Sequence, residues 1–171
     1  MRLRRSLCLV PLATVSACMT APDHARLEAP APIFSPETFF AGRTEGRGVL
    51  VSVLARPRQV IVHGVGQVAS DGTITVDQSV EQEGKPPRQR RWILRRAGTD
   101  RFEGTLTGAR GPVVAQLRGN RMHIRFEMND GLIAEQWIYL QPGGQTALNR
   151  MSITKFGMLV ATLDETVRRE P

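Results

Sequence analysis

This chain is poor in the residues that most often announce a function. It has two cysteines, three histidines and an aromatic content of only 5% across 171 residues. Two cysteines exclude a disulfide-rich scaffold and a cysteine-based zinc site. The longest apolar run, near Leu7 to Val15, is far short of the roughly 20 residues a membrane-spanning helix needs. Lys85 and Lys155 are the only lysines, so the excess of 23 Lys+Arg over 16 Asp+Glu is an excess of arginine. Its densest stretch, Arg88, Arg90, Arg91, Arg95 and Arg96, contains Trp92 alone. A nucleic-acid surface would interleave such charge with several aromatics, so the run is taken as a solvated face or a head-group contact and no nucleic-acid partner is expected. No Gly-x-Ser-x-Gly elbow is present, and His24, His63 and His123 lack the local spacing of a metal site. Glu81 and Glu83 lie two apart beside Lys85, which fits a solvated strand end. No metal, no cofactor and no catalytic residue are expected.

One motif needs an explicit test. His63-Gly64-Val65-Gly66-Gln67-Val68-Ala69 has the Gly-x-Gly-x-x-Ala spacing of a dinucleotide-binding loop. That loop works only when a helix follows and its amides hold the pyrophosphate. Here Ser70-Asp71-Gly72 turns the chain at once and another alternating segment follows. The expectation is a glycine-softened strand that bends.

What is present begins at the N-terminus. Arg2, Arg4 and Arg5 precede a short apolar segment, and Val15-Ser16-Ala17 places small residues before Cys18. This is the layout of a signal peptide with a lipobox, so residues 1–17 are expected to be removed and Cys18 to carry the acyl groups. Two or three acyl chains hold a protein on a bilayer essentially permanently, since each buried methylene adds about 0.8 kcal/mol. Met19, rather than an aspartate, favours the outer membrane, so the mature chain is placed on its periplasmic face. Loss of three arginines lowers the formal charge from +7 to +4. Residues 18–36, with Pro22, Pro30, Pro32 and Pro36 among alanines, form an expected tether.

Residues 37–171 are expected to be one β domain. Ser35-Pro36-Glu37-Thr38 has the N-cap and first-turn proline of a helix start, which would carry Phe39 and Phe40 as a plug. Beyond Gly46 the apolar period is two. Met122, Ile124, Phe126 and Met128 alternate without exception with Arg121, His123, Arg125 and Glu127. Turn signals recur about every ten residues. The spacing predicts an all-β antiparallel meander of about 8–10 strands closing into a lipocalin-like barrel, which removes exposed edges. Residues 158–167 fit a strand or, through Leu159, Leu163 and Val167, a helix. Residues 137–140 are apolar on both faces, Trp137 and Tyr139 on one and Ile138 and Leu140 on the other.

Several of these residues together resemble a family of uncharacterised proteobacterial lipoproteins, domain of unknown function 3833. The matching positions are Phe39-Phe40-Ala41-Gly42, Gly46-Arg47-Gly48-Val49, Trp92, Phe102-Glu103-Gly104, Gly119-Asn120 and Trp137. The most specific block is Leu148-Asn149-Arg150-Met151-Ser152-Ile153-Thr154-Lys155-Phe156-Gly157. The chain departs from the family pattern at Glu135-Gln136 and at Glu83-Gly84-Lys85-Pro86-Pro87, where acidic residues are common. The resemblance implies an envelope location and a lipid setting, since members are often encoded beside enzymes that modify membrane fatty acids.

The expected function is therefore a membrane-anchored barrel that binds a fatty acid or phospholipid. Phe39 and Phe40 would cap one end, Trp92 and Trp137 with Tyr139 would line the cavity, and Asn149 or Lys155 would meet a carboxylate. The alternative is a non-enzymatic module that presents the barrel to a protein partner in the envelope. An enzyme would need Asn149, Ser152 and Lys155 to converge in one cleft.

Overall fold

The computed structural model describes residues 24, 26–53 and 55–171, so the expected signal segment and Cys18 lie outside the described residues. A single helical turn, α1 (Pro36–Phe39), is followed by ten strands among the described residues. They are β1 (Gly42–Ser52), β2 (Ala55–Val68), β3 (Ile74–Gln82), β4 (Arg88–Arg96) and β5 (Arg101–Leu106). The second half adds β6 (Ala109–Arg118), β7 (Arg121–Met128), β8 (Leu132–Leu140), β9 (Thr146–Lys155) and β10 (Met158–Arg169). Each strand pairs antiparallel with its neighbours in sequence, and β1 pairs with β10 from Thr44↔Arg169 to Ser52↔Ala161. The meander closes into a lipocalin-like barrel. Residues 158–167 resolve as strand because their partners on both sides are strands, and Ala161, Leu163 and Glu165 are all buried on one face.

Alternation sorts every strand into an inner and an outer face. The large inner cluster contains Ile74, Trp92, Phe102, Val113, Met122, Ile124 and Ile138. A smaller one, around Val60, Val62 and Leu163, fills the end formed by β1–β3, β9 and β10. The other end is plugged. Ser35 caps α1 by accepting from the Thr38 N–H, Pro36 occupies its first turn, and Phe39 is buried. Gly66 is the reason the plug can sit so close, because a Cβ there would stand 1.7 Å from the Phe40 carbonyl oxygen. The dinucleotide-like motif is thus a continuous strand, β2, with glycines where another segment crosses it.

The tether expectation needs correction. Its second half is a strap packed on the barrel, with Phe34 only 1% exposed in the core beside Phe39 and Phe40. The Phe34 N–H donates to the Gly119 carbonyl at 2.8 Å. Asn120, buried between strap and barrel, accepts from the Ala29 N–H at 2.8 Å. Its Nδ2 donates to the carbonyls of Leu27 at 3.0 Å and Leu140 at 3.1 Å. Glu28 pairs with Arg121. Proline and alanine dominate the composition here, and they hid Phe34, the large side chain that enters the core.

Candidate functional site

The barrel interior is not uniformly apolar. Between the plug and the small apolar cluster lies a belt of inward polar side chains: Thr44, Gln78, Arg90, Gln136, Asn149 and Glu165. Glu165 occupies space that two glycines leave open. A Cβ on Gly46 would stand 2.0 Å from its Oε1, and one on Gly48 would stand 2.8 Å from its Cβ. Asn149 Nδ2 donates to Glu165 Oε2 at 2.7 Å, while Asn149 Oδ1 is buried with no hydrogen-bond donor among the described residues. Arg90 Nε and Trp92 Nε1 both donate to Gln78 Oε1, at 2.6 and 2.8 Å. The Arg90 guanidinium lies 5.7 Å from the Trp92 ring centroid.

Burial dominates the electrostatics of the belt. It pushes the Glu165 carboxyl above its ordinary value, against the opposing pulls of the Asn149 amide and the Arg90 charge. It lowers Arg90 for the same reason, with the Glu165 charge pulling the other way. A buried charge without a close partner is costly, and Glu165 and Arg90 form no contact ion pair. Above the belt is a chamber of about 60 Å³, roofed by Phe40 and walled by Val76, Trp92, Leu94, Ile124 and Ile138. That volume holds a few water-sized groups, against the several hundred Å³ typical of a pocket for a whole drug-sized ligand.

The sequence-predicted site residues separate into two groups. Phe40, Trp92 and Asn149 line the chamber, with Phe39 packed behind them in the plug. Trp137 and Tyr139 do not. Their odd positions on β8 face outward, opposite Gln136, Ile138 and Leu140. Trp137 stacks on His123 with ring centroids 4.8 Å apart, and His24 of the strap lies tilted against it at 4.2 Å. Tyr139 is fully buried beneath the same strap, and burial, with the Glu28 charge second, pushes its hydroxyl up to about 12. The strap explains why both faces of this strand are apolar. Lys155 ends β9 outside the chamber, its Nζ 5.7 Å from the Phe156 ring. Ser152 lies on the face of β9 opposite Asn149, so Asn149, Ser152 and Lys155 do not converge.

Gly46, Gly48 and Asn149, three positions that build the belt, fall within blocks that a family model recognises. The model for "Protein of unknown function (DUF3833)" matches residues 12–169. The chain belongs to this family. No curated protein matches the sequence. Among solved structures, the S-type phycobiliprotein lyase CPES from Guillardia theta is similar in fold, with a TM-score of 0.63 at 11% identity. The similarity covers 81% of this chain and 94% of that one. A protein of unknown function from the DUF3598 family of Nostoc punctiforme has a TM-score of 0.58 at 13% identity. It covers 81% of this chain, which spans half of that longer one. At these identities the likeness of the DUF3833 chain to both is one of fold.

Sequence reasoning missed Arg90 and Glu165. Arg90 is disguised by the arginines around it, yet its parity with Trp92 and Leu94 on β4 marks it as inward. Glu165 likewise shares the parity of Leu163 and Val167. In both cases the usable signal was a charge on the apolar face of an alternating strand.

Proposed function

We propose that this chain is a membrane-anchored binding protein whose barrel takes a fatty acid or another lipid. The supporting observation is the polar belt set across an otherwise apolar interior. Arg90 offers donors to a carboxylate or phosphate oxygen, and the unpartnered Asn149 Oδ1 accepts from a ligand hydroxyl or amide. The apolar part of the ligand enters the chamber under Phe40, and an acyl chain longer than its 60 Å³ allows moves that ring outward. Arg90 takes the part that the sequence assigned to Lys155. Acylation of Cys18 at the periplasmic face of the outer membrane supplies the anchor, and the barrel binds its ligand without transforming it.

The decisive experiment is mass spectrometry of lipids extracted from the chain purified without detergent. Stoichiometric fatty acid or phospholipid is the expected result. Emission from Trp92, isolated by Trp137→Phe, should shift when lipid is added, and Arg90→Gln should abolish the shift. Labelled palmitate should enter the wild type but not Cys18→Ser. The small chamber favours a second reading, a non-enzymatic envelope module for a protein partner. A protein that is empty on extraction and ignores added lipid would select that reading.

A further inference from the structure

Among the described residues no helix or strap crosses the end of the barrel opposite α1, which the small Val60–Val62–Leu163 cluster fills from within, and the β9–β10 hairpin stands at its rim. Lys155 and Met158 pair across a two-residue turn, Phe156-Gly157, whose φ values are 51° and 78°. Such a turn suits asparagine or glycine, which adopt positive φ readily, whereas a bulky aromatic is disfavoured there by its own backbone. The Phe156 ring is nevertheless 83% exposed and Met158 is 64% exposed. Val53, also exposed, is held next to this hairpin by its N–H donating to the Val160 carbonyl at 3.1 Å. The fold thus tolerates a strained backbone to hold an aromatic ring in solvent. Around the same rim stand Arg56, Arg58, Lys85, Arg88, Arg110 and Lys155, against Glu81, Glu83, Glu127 and Asp130.

We propose that this open rim docks on an anionic lipid surface, with Phe156, Met158 and Val53 entering the head-group layer and Lys155 meeting lipid phosphates. The direction of the strap supports the same orientation. Glu28 lies at the level of Arg121 and His24 at the level of Trp137, which is paired with His123. Followed backwards, the chain therefore runs from the plug toward the open rim. Cys18 is six positions before His24, a distance of at most about 20 Å along the chain. Trp137 is five residues from the start of β8, about 17 Å of strand. Fully extended, that stretch is long enough for an acylated Cys18 to reach the plane of the rim, which lets anchor and hairpin tip address one membrane. This second support rests on the acylation proposed above; the exposed tip and its charges do not.

The test binds the full chain to vesicles of phosphatidylethanolamine and phosphatidylglycerol with brominated acyl chains. Bromine should quench the emission added by Phe156→Trp, with Met158→Trp as the second variant should the first misfold. It should leave the emission added by Ile33→Trp, a position 78% exposed at the plugged end. Lys155→Glu should weaken binding to the anionic vesicles about fivefold or more and leave neutral vesicles unaffected. Cys18→Ser should lower the amount bound while the bound fraction stays quenched at Phe156→Trp. Unchanged binding in Cys18→Ser would overturn the anchor and leave the docking standing. Absent quenching at both tip variants, or equal quenching at Ile33→Trp, would overturn the docking, and loss of a protein partner in Phe156→Asn would then assign the tip to that partner.

Discussion

The two tryptophans sit on one barrel and face opposite ways. Trp92 looks inward, its edge toward Phe126 and its Nε1 bonded to Gln78, with the chamber beside it. Trp137 looks outward and is covered by the chain's own strap through His24. Trp92 is buried and Trp137 half-buried, and both lie on alternating strands. Of the two, Trp92 is the one that lines the chamber. Burial of an aromatic is therefore a poor guide to a site, and what covers it decides.

The largest effect should come where the two regions meet. Phe34 belongs to the strap yet packs on Phe39 and Phe40 of the plug. Phe34→Ala should cost about 3–5 kcal/mol in urea unfolding and shift the emission of both tryptophans. A shift confined to one of them would show that strap and plug are uncoupled.

Gly66→Ala should separate the regions. Its Cβ would collide with the Phe40 carbonyl, displacing the plug at a cost of about 1–3 kcal/mol. Trp92 emission should move while Trp137 emission stays. Movement of both would extend the plug's influence to the outer wall.

The smallest effects are the pH slopes, and they run in opposite directions. Burial raises the Glu165 carboxyl in the folded state, so the fold holds a proton that the unfolded chain has released. Stability should fall as pH rises above the ordinary value of 4.5 and through the raised one, and Glu165→Gln should remove that slope. Burial lowers His123, against the pull of the nearby Glu135, so the unfolded chain takes up the proton first. Stability should be present above the ordinary value of 6.5 and decline as pH falls below it toward the lowered one, and His123→Gln should flatten that limb. Thermal unfolding of the wild type and both variants between pH 4 and 8 checks the pair. A single slope shared by both variants would dissolve the contrast.

Much of this architecture was legible in the sequence, and the losses have physical reasons. The alternation of Met122 to Met128 against Arg121 to Glu127 predicts β7 because a pleated strand leaves no other assignment. Ser35 and Pro36 predict the capped turn that carries the plug. The stretch 137–140 is apolar on both faces in the sequence, but period alone does not say which face is inside. The outer face is covered by the strap, whose prolines imitate a linker while Phe34 docks it. The belt was hidden because an inward-facing arginine and a buried glutamate are rare, and composition assigns both to the surface.

Asn120 has a mechanical consequence. Its amide and backbone bind Leu27, Ala29 and Leu140 together at the β6–β7 turn, a few residues before the chain enters α1 and β1. Tension applied at residue 24 toward the open end is met along the strap, by several bonds loaded in parallel. Little of that load reaches β1, the strand whose pairing with β10 closes the barrel. The clasp is a strain relief, and a tug on the N-terminal end leaves the barrel closed.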